Sequence, residues 1–114
     1  MQVSYYGPIN AETFCYLRNS VVELSKDAPA LVIRMDYAMF ALDVVPVIPS
    51  GVYTWCCPPA AVIVRRDAYS MWSEYGRKVA ALGVKRAVFC ESQIELAYLW
   101  AEDHACLERE QLPQ

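Results

Sequence analysis

The sequence predicts an α/β domain with a four-stranded, mainly parallel sheet and helices packed mostly on one face. Three observations carry this prediction. Residues 60–67 (AAVIVRRD) form an apolar run that leads into a helical pattern, and residues 86–91 (RAVFCE) lead into another. Residues 3–36 read strand, helix, strand. Strand–helix units in succession favour parallel strands joined by right-handed crossovers. At 114 residues, 56% of them hydrophobic, the chain is expected to form one domain over residues 1–107 with a polar tail at 108–114.

The elements follow in order. Residues 3–6 (VSYY) suit a strand, with Gly7 and Pro8 as punctuation. Asn10 is a strong N-cap residue, and Glu12 complements the positive end of the helix it opens. Phe14, Leu17, Val21 and Leu24 recur at helical spacing to about residue 26, where Asp27, Ala28 and Pro29 end the helix. Residues 30–36 (ALVIRMD) alternate, with Leu31, Ile33 and Met35 on one face and Val32, Arg34 and Asp36 on the other. That partial alternation suits a sheet with fuller cover on one face.

Residues 37–59 hold Pro46, Pro49, Pro58 and Pro59. A short helix fits 37–45 and an extended piece fits 52–55. A connection this long carries structure or function of its own in a compact domain. Asp67 then caps a helix over 68–82 that ends at Gly83, with Trp72, Tyr75, Gly76 and Val79 on one side. Residues 92–95 (SQIE) form a capping box for a last helix running to about residue 107. Its apolar stripe is Ile94, Ala97, Tyr98, Ala101 and Ala105, widened by Leu96 and Trp100.

Composition narrows the function classes. The net charge is −3 with both signs scattered, which is unlike the basic stripe that nucleic-acid backbones require. The pairs Arg65-Arg66 and Lys85-Arg86 read as solvated strand ends. The longest apolar run, residues 38–48, is broken by Asp43 and Pro46 and falls short of a membrane span of about 20 residues. No basic, apolar leader opens the chain, so a cytoplasmic location is expected, with the five cysteines reduced. No C-x-x-C is present and His104 is the single histidine, so no metal or other cofactor is expected.

At this resolution the chain resembles the SpoIIAA-like group, which contains the STAS domains and their small stand-alone relatives. Residues 7–11 (GPINA) are similar to the G-x-[ILV]-[DN] turn that opens the first STAS helix, and residues 31–36 (LVIRMD) to the central strand that ends in aspartate. Residues 83–89 (GVKRAVF) and 95–100 (ELAYLW) are similar to the last strand and helix of the short relatives. The resemblance spans residues 3–107. It implies a β-α superhelix with the sheet in sequential order and a non-enzymatic role in protein interaction or regulation, with small or lipid-like ligands in some relatives. Phosphorylated STAS domains carry a serine or threonine after a second aspartate. The matching aspartate is Asp43, and Val44 and Val45 follow it, so the phosphorylation switch is not expected to carry over.

Several residues are candidates for chemistry. Cys56 and Cys57 are candidate redox thiols, against a simpler role as small apolar residues under a loop. Cys90 stands where a strand meets a helix N-terminus, which lowers a thiol pKa. Asp36 and Asp43 are a candidate carboxylate pair, against strand-end and capping roles. His104 reads as a surface residue with no identifiable nucleophile. Three tryptophans and eight tyrosines are more than a domain this small can bury, so some belong to an interface.

The expected function is therefore a non-enzymatic interaction module. Its partner is a protein or a second copy of the chain, and its surface includes Asp36, Phe40, Asp43, Tyr53, Trp55, Trp72 and Tyr75. A small-molecule or lipid-like ligand held by residues 38–48 with Trp55 is the alternative, and a thiol enzyme built on Cys56, Cys57 or Cys90 a lesser one.

Overall fold

A computed structural model describes residues 1–42, 44 and 58–111 of the chain, with 106–111 as backbone alone. The elements are β1 (Gln2–Ser4), β2 (Gly7–Ile9), α1 (Ala11–Ser25), β3 (Leu31–Arg34), β4 (Ala38–Phe40), β5 (Ala60–Val64), α2 (Tyr69–Ala81), β6 (Arg86–Cys90) and α3 (Ile94–Gln111). Four strands form an all-parallel sheet in the order β1-β3-β5-β6. β2 and β4 form a separate parallel pair.

This is the α/β fold the sequence predicts. β5 is buried at all five positions, as expected of an interior parallel strand covered on both faces. Side chains from alternate positions then feed two cores. Leu31, Ile33, Val62 and Val64 pack with Phe14 of α1 and Trp72 of α2. Val32, Ala61 and Ile63 pack with Ala97 and Ala101 of α3. Strands laid down in one direction with crossovers of one hand place α1 and α2 on the same face. α3 follows the edge strand β6 and folds back over the other face, where small alanines admit a close approach.

The ends of the helices show local chemistry at work. Asn10 Oδ1 accepts a hydrogen bond from the Thr13 N–H at 2.9 Å, the cap expected of it. α2 stops at Gly83, whose φ of 91° is open to glycine and costly for other residues. Its start differs from expectation. Residues Arg66–Ala68 form a 3-10 turn, Ala68 is the N-cap, and no side chain caps the helix. Asp67 is exposed and pairs loosely with Arg65 at 3.8 Å instead. The capping box before α3 is also displaced. It is formed by Cys90 and Gln93 around a 3-10 turn at Glu91–Gln93, because the strand ends two residues before Ser92.

Other expectations are corrected by tertiary pairing. Gly7 and Pro8 are not a turn alone but the start of β2, and residues 38–40 are a strand rather than part of a helix. Three-residue strands carry too little periodicity to be read locally. Leu24 is 73% exposed and Ser25 is buried in its place, its hydroxyl donating to the Val21 carbonyl. Leu96 is also exposed, and α3 continues to Gln111, four residues beyond the expected end.

A candidate interaction face at the carboxyl end of the first strands

The face begins with a mismatch in register. Ser4 pairs with Arg34, and Gly7 pairs with Ala38. Tyr5 and Tyr6 therefore stand opposite Met35, Asp36 and Tyr37, one residue more, in the manner of a β-bulge. Gly7 resumes pairing at a φ of 72°, which other residues adopt only with strain. The extra residue re-aims the side chains at this junction, and the Tyr6 and Tyr37 rings stack with centroids 5.4 Å apart and planes 8° off parallel.

Both rings are exposed, Tyr6 at 68% and Tyr37 at 51%. Strand alternation continues the same face into the β2–β4 pair. Pro8 and Met39 are register partners and both are exposed, while Ile9 and Ala38 turn into the core. Leu42, fully exposed, lies just beyond β4. Two stacked tyrosines, a proline and a methionine thus form an apolar platform at the carboxyl end of β1 and β3.

A charged pair holds the platform from beneath. Arg34 donates from Nε to Asp36 Oδ1 at 3.2 Å and from Nη2 to Oδ2 at 2.7 Å, a two-pronged pairing. The two side chains are 13% and 5% exposed. The Tyr37 ring covers the guanidinium, its centroid 4.7 Å from Cζ. Hydrogen bonding to Asp36, above all, pushes the Arg34 pKa up, reinforced by the Asp36 charge and by Tyr37 and Tyr98, with burial opposing. The Tyr98 hydroxyl on α3 donates to Gln2 Oε1 at 2.6 Å and ties that helix to the β1 edge.

Of the residues singled out in the sequence, Asp36 lies in this cluster, as the anchor of Arg34. Phe40 is half-buried and meets Phe14 edge-on at 5.7 Å on the core side. Trp72 is 4% exposed and packs against Phe14, Phe40 and Tyr75, so it is a core residue rather than a surface one. Its helical spacing fits both roles, and only the packing of α1 against α2 separates them. Tyr75 is half-buried beside it. Asp43, Tyr53, Trp55, Cys56 and Cys57 lie outside the described residues. Nothing local in the sequence distinguishes Tyr6, Pro8 and Met39, the outward positions of a strand pair that only the register creates.

Cys90 is the second chemical feature. Its Sγ lies 2.7 Å from Ser92 Oγ, and the Cys90 N–H donates to Gln93 Oε1 at 3.2 Å. Hydrogen bonds from the Ser92 hydroxyl, then from the Ser92 backbone, pull the thiol pKa down. Burial opposes them, the Arg66 charge adds to the lowering, and Glu91 opposes it. The remaining candidate, His104, stacks on Trp100 at 3.8 Å and bonds through Nδ1 to the Trp100 carbonyl at 2.9 Å. It lies ten residues into α3, about 15 Å of helix from the Cys90 end. Among the described residues, no group of three or more His, Cys, Asp or Glu side chains is placed to hold a metal ion. No helix among them is long and apolar enough to cross a membrane.

The geometry defines an α/β protein with a sequentially ordered parallel sheet and an aromatic platform at one end of it. Comparison with protein-family models, curated proteins and solved structures finds no match for the chain.

Proposed function

We propose that this protein is a non-enzymatic, STAS-like interaction module that docks another protein on the Tyr6–Tyr37 platform. The observation that carries this reading is the exposed, stacked tyrosine pair continued by the Pro8–Met39 pair. Exposed apolar patches of this kind mark protein contacts, and tyrosine and methionine are enriched at such contacts. The platform is also pre-organised. Arg34 and Asp36 fix Tyr37 from below, so little side-chain entropy remains to be lost on docking. The strand-end carboxylate of Asp36 is engaged by a guanidinium, which supports a structural rather than an acid–base role.

The SpoIIAA-like resemblance supports the same reading by analogy of fold. A second copy of the chain is the simplest partner. Light scattering on the native protein and on Tyr37→Ser and Met39→Ser tests this directly. A dimer lost in both variants, with unchanged melting temperature, supports self-docking. A monomeric wild type moves the partner to another protein, read by site-specific photo-crosslinking from position 39. Absence of any crosslinked protein overturns the interaction reading.

The thiol reading has one favourable observation, the lowered pKa of Cys90. His104 is turned to its own helix at Trp100, and Glu91, beside the thiol, bonds the Arg66 N–H at 3.4 Å. The neighbours of Cys90 thus serve the helix cap more directly than catalysis.

A further inference from the structure

The sheet face under α1 and α2 contains cationic and N–H groups that the interaction platform does not use. Gly76 lets α2 lie close on β6, where an added Cβ would stand 2.8 Å from Val88 Cγ2. That approach brings Tyr75 over Arg86, whose Nη1 donates to the Tyr75 hydroxyl at 3.1 Å. Arg86 shares its strand face with Val88, so its stem runs beneath the helices rather than out into solvent. Its Nε is buried and has no hydrogen-bond acceptor among the described residues. The same is true of Trp72 Nε1, on a residue that is 4% exposed. Trp72 and Tyr75 are in edge contact at 5.5 Å, so both residues with orphan donors adjoin the Tyr75 side chain.

A second guanidinium stands on α1, where Arg18 Nη2 lies 3.8 Å from Sγ of the exposed Cys15. Arg18 lies one turn beyond Phe14, on the same side of the helix, and Phe14 packs on Trp72 at 5.8 Å. Among the described residues, the ion pairs are Lys26–Glu23, Arg34–Asp36, Arg65–Asp67 and Lys78–Glu74, none of which involves Arg18 or Arg86. Buried donors are normally satisfied, because leaving one unpaired forfeits its hydration without return. A guanidinium N–H and an indole N–H left unpaired beside Tyr75 are complementary to an acceptor from outside the chain. Tyr75 and Arg86 are each partly exposed, so the rim of the group reaches solvent while the two unpaired donors lie beneath it.

We propose that the α1–α2 junction over the amino end of β6 binds the oxyanion group, carboxylate or phosphate, of a small ligand through Arg86 and the Trp72 indole N–H. This site faces the opposite side of β3 from the Arg34–Asp36 pair and stands independently of the docking platform. Arg86 supplies charge and orientation, and Trp72 supplies a directional donor within the core. Such a ligand would bridge α2 to β6.

Titration calorimetry of the wild-type chain with inorganic phosphate and with succinate, against sodium chloride at matched ionic strength, tests the site and separates the two sources. Saturable binding of one anion in the millimolar range or tighter is expected, with a rise in melting temperature. Trp72→Phe keeps an aromatic ring in the core and removes only the N–H donor, and it should weaken binding about tenfold. Arg86→Met should abolish binding, with circular dichroism confirming that the fold is retained. Failure of the folded wild type to bind either anion overturns the proposal, because the orphan donors are then met by solvent. Binding that survives both Trp72→Phe and Arg86→Met also overturns it, by placing the anion elsewhere.

Discussion

Gly76 and Val88 are in contact at a distance that leaves no room for a side chain at position 76, since a Cβ there would meet Val88 Cγ2 at 2.8 Å. The contact sets how closely α2 rides on β6. Valine is stiff about χ1, so it gives way poorly.

Gly76→Ala is therefore expected to destabilise the protein although alanine is the better helix former. Overpacking costs about 1–3 kcal/mol and the gain in helix propensity returns about 1 kcal/mol, for a net loss near 1 kcal/mol. Urea denaturation should show a lower midpoint with an unchanged slope. Adding Val88→Ala removes the obstructing methyls, so the double variant should lose less than the sum of the two single variants. Strict additivity would show that the contact does not govern the spacing.

The Arg34–Asp36 pair gives a different pattern. Asp36→Asn leaves a largely buried guanidinium without its counter-charge, and the expected loss is about 3 kcal/mol. Replacing both residues, as Arg34→Met with Asp36→Leu, should recover most of that loss, because no uncompensated charge remains. The double variant should nevertheless loosen Tyr37, which rests on Arg34, and so reduce association through the platform. Chemical denaturation and light scattering read the two effects separately.

Asn10→Ala removes the acceptor for the Thr13 N–H and is expected to cost about 1 kcal/mol, whereas Asn10→Asp should be close to neutral. The comparison by thermal unfolding isolates the side-chain oxygen from the backbone conformation. An equal loss in both variants would remove the cap from the account of α1.

Cys90 predicts a pH dependence of known sign. Its folded pKa is depressed, chiefly by the Ser92 hydroxyl, so more thiolate is present at neutral pH than in a free cysteine with a pKa of about 8.5. The alkylation rate at Cys90, followed site by site with mass spectrometry, should reach half its alkaline plateau below that value. Ser92→Ala should move the midpoint upward. Linkage fixes the effect on folding. The contribution is complete above the unfolded pKa of about 8.5 and is lost as pH falls through the folded value, so Ser92→Ala should weaken folding only toward alkaline pH. A midpoint that does not respond to Ser92→Ala removes the hydroxyl as the cause.

The sequence by itself determined the parts whose pattern is local. The apolar run of β5, the alternation of β3, the Asn10 cap, the core stripe of α2 and the stop at Gly83 are all legible because propensity, period and turn chemistry act within a few residues. From those parts the parallel sheet follows. The tertiary structure decided what depends on pairing across the chain. β2 and β4 exist only because each supplies the other's hydrogen-bond partners, and their offset from the β1–β3 register is what stacks Tyr6 on Tyr37. Trp72 became core, and the Arg86 stem was covered, when α2 settled on β6. Which face an aromatic or a cation finally presents is set by the element packed against it, and that information resides in residues far away along the chain.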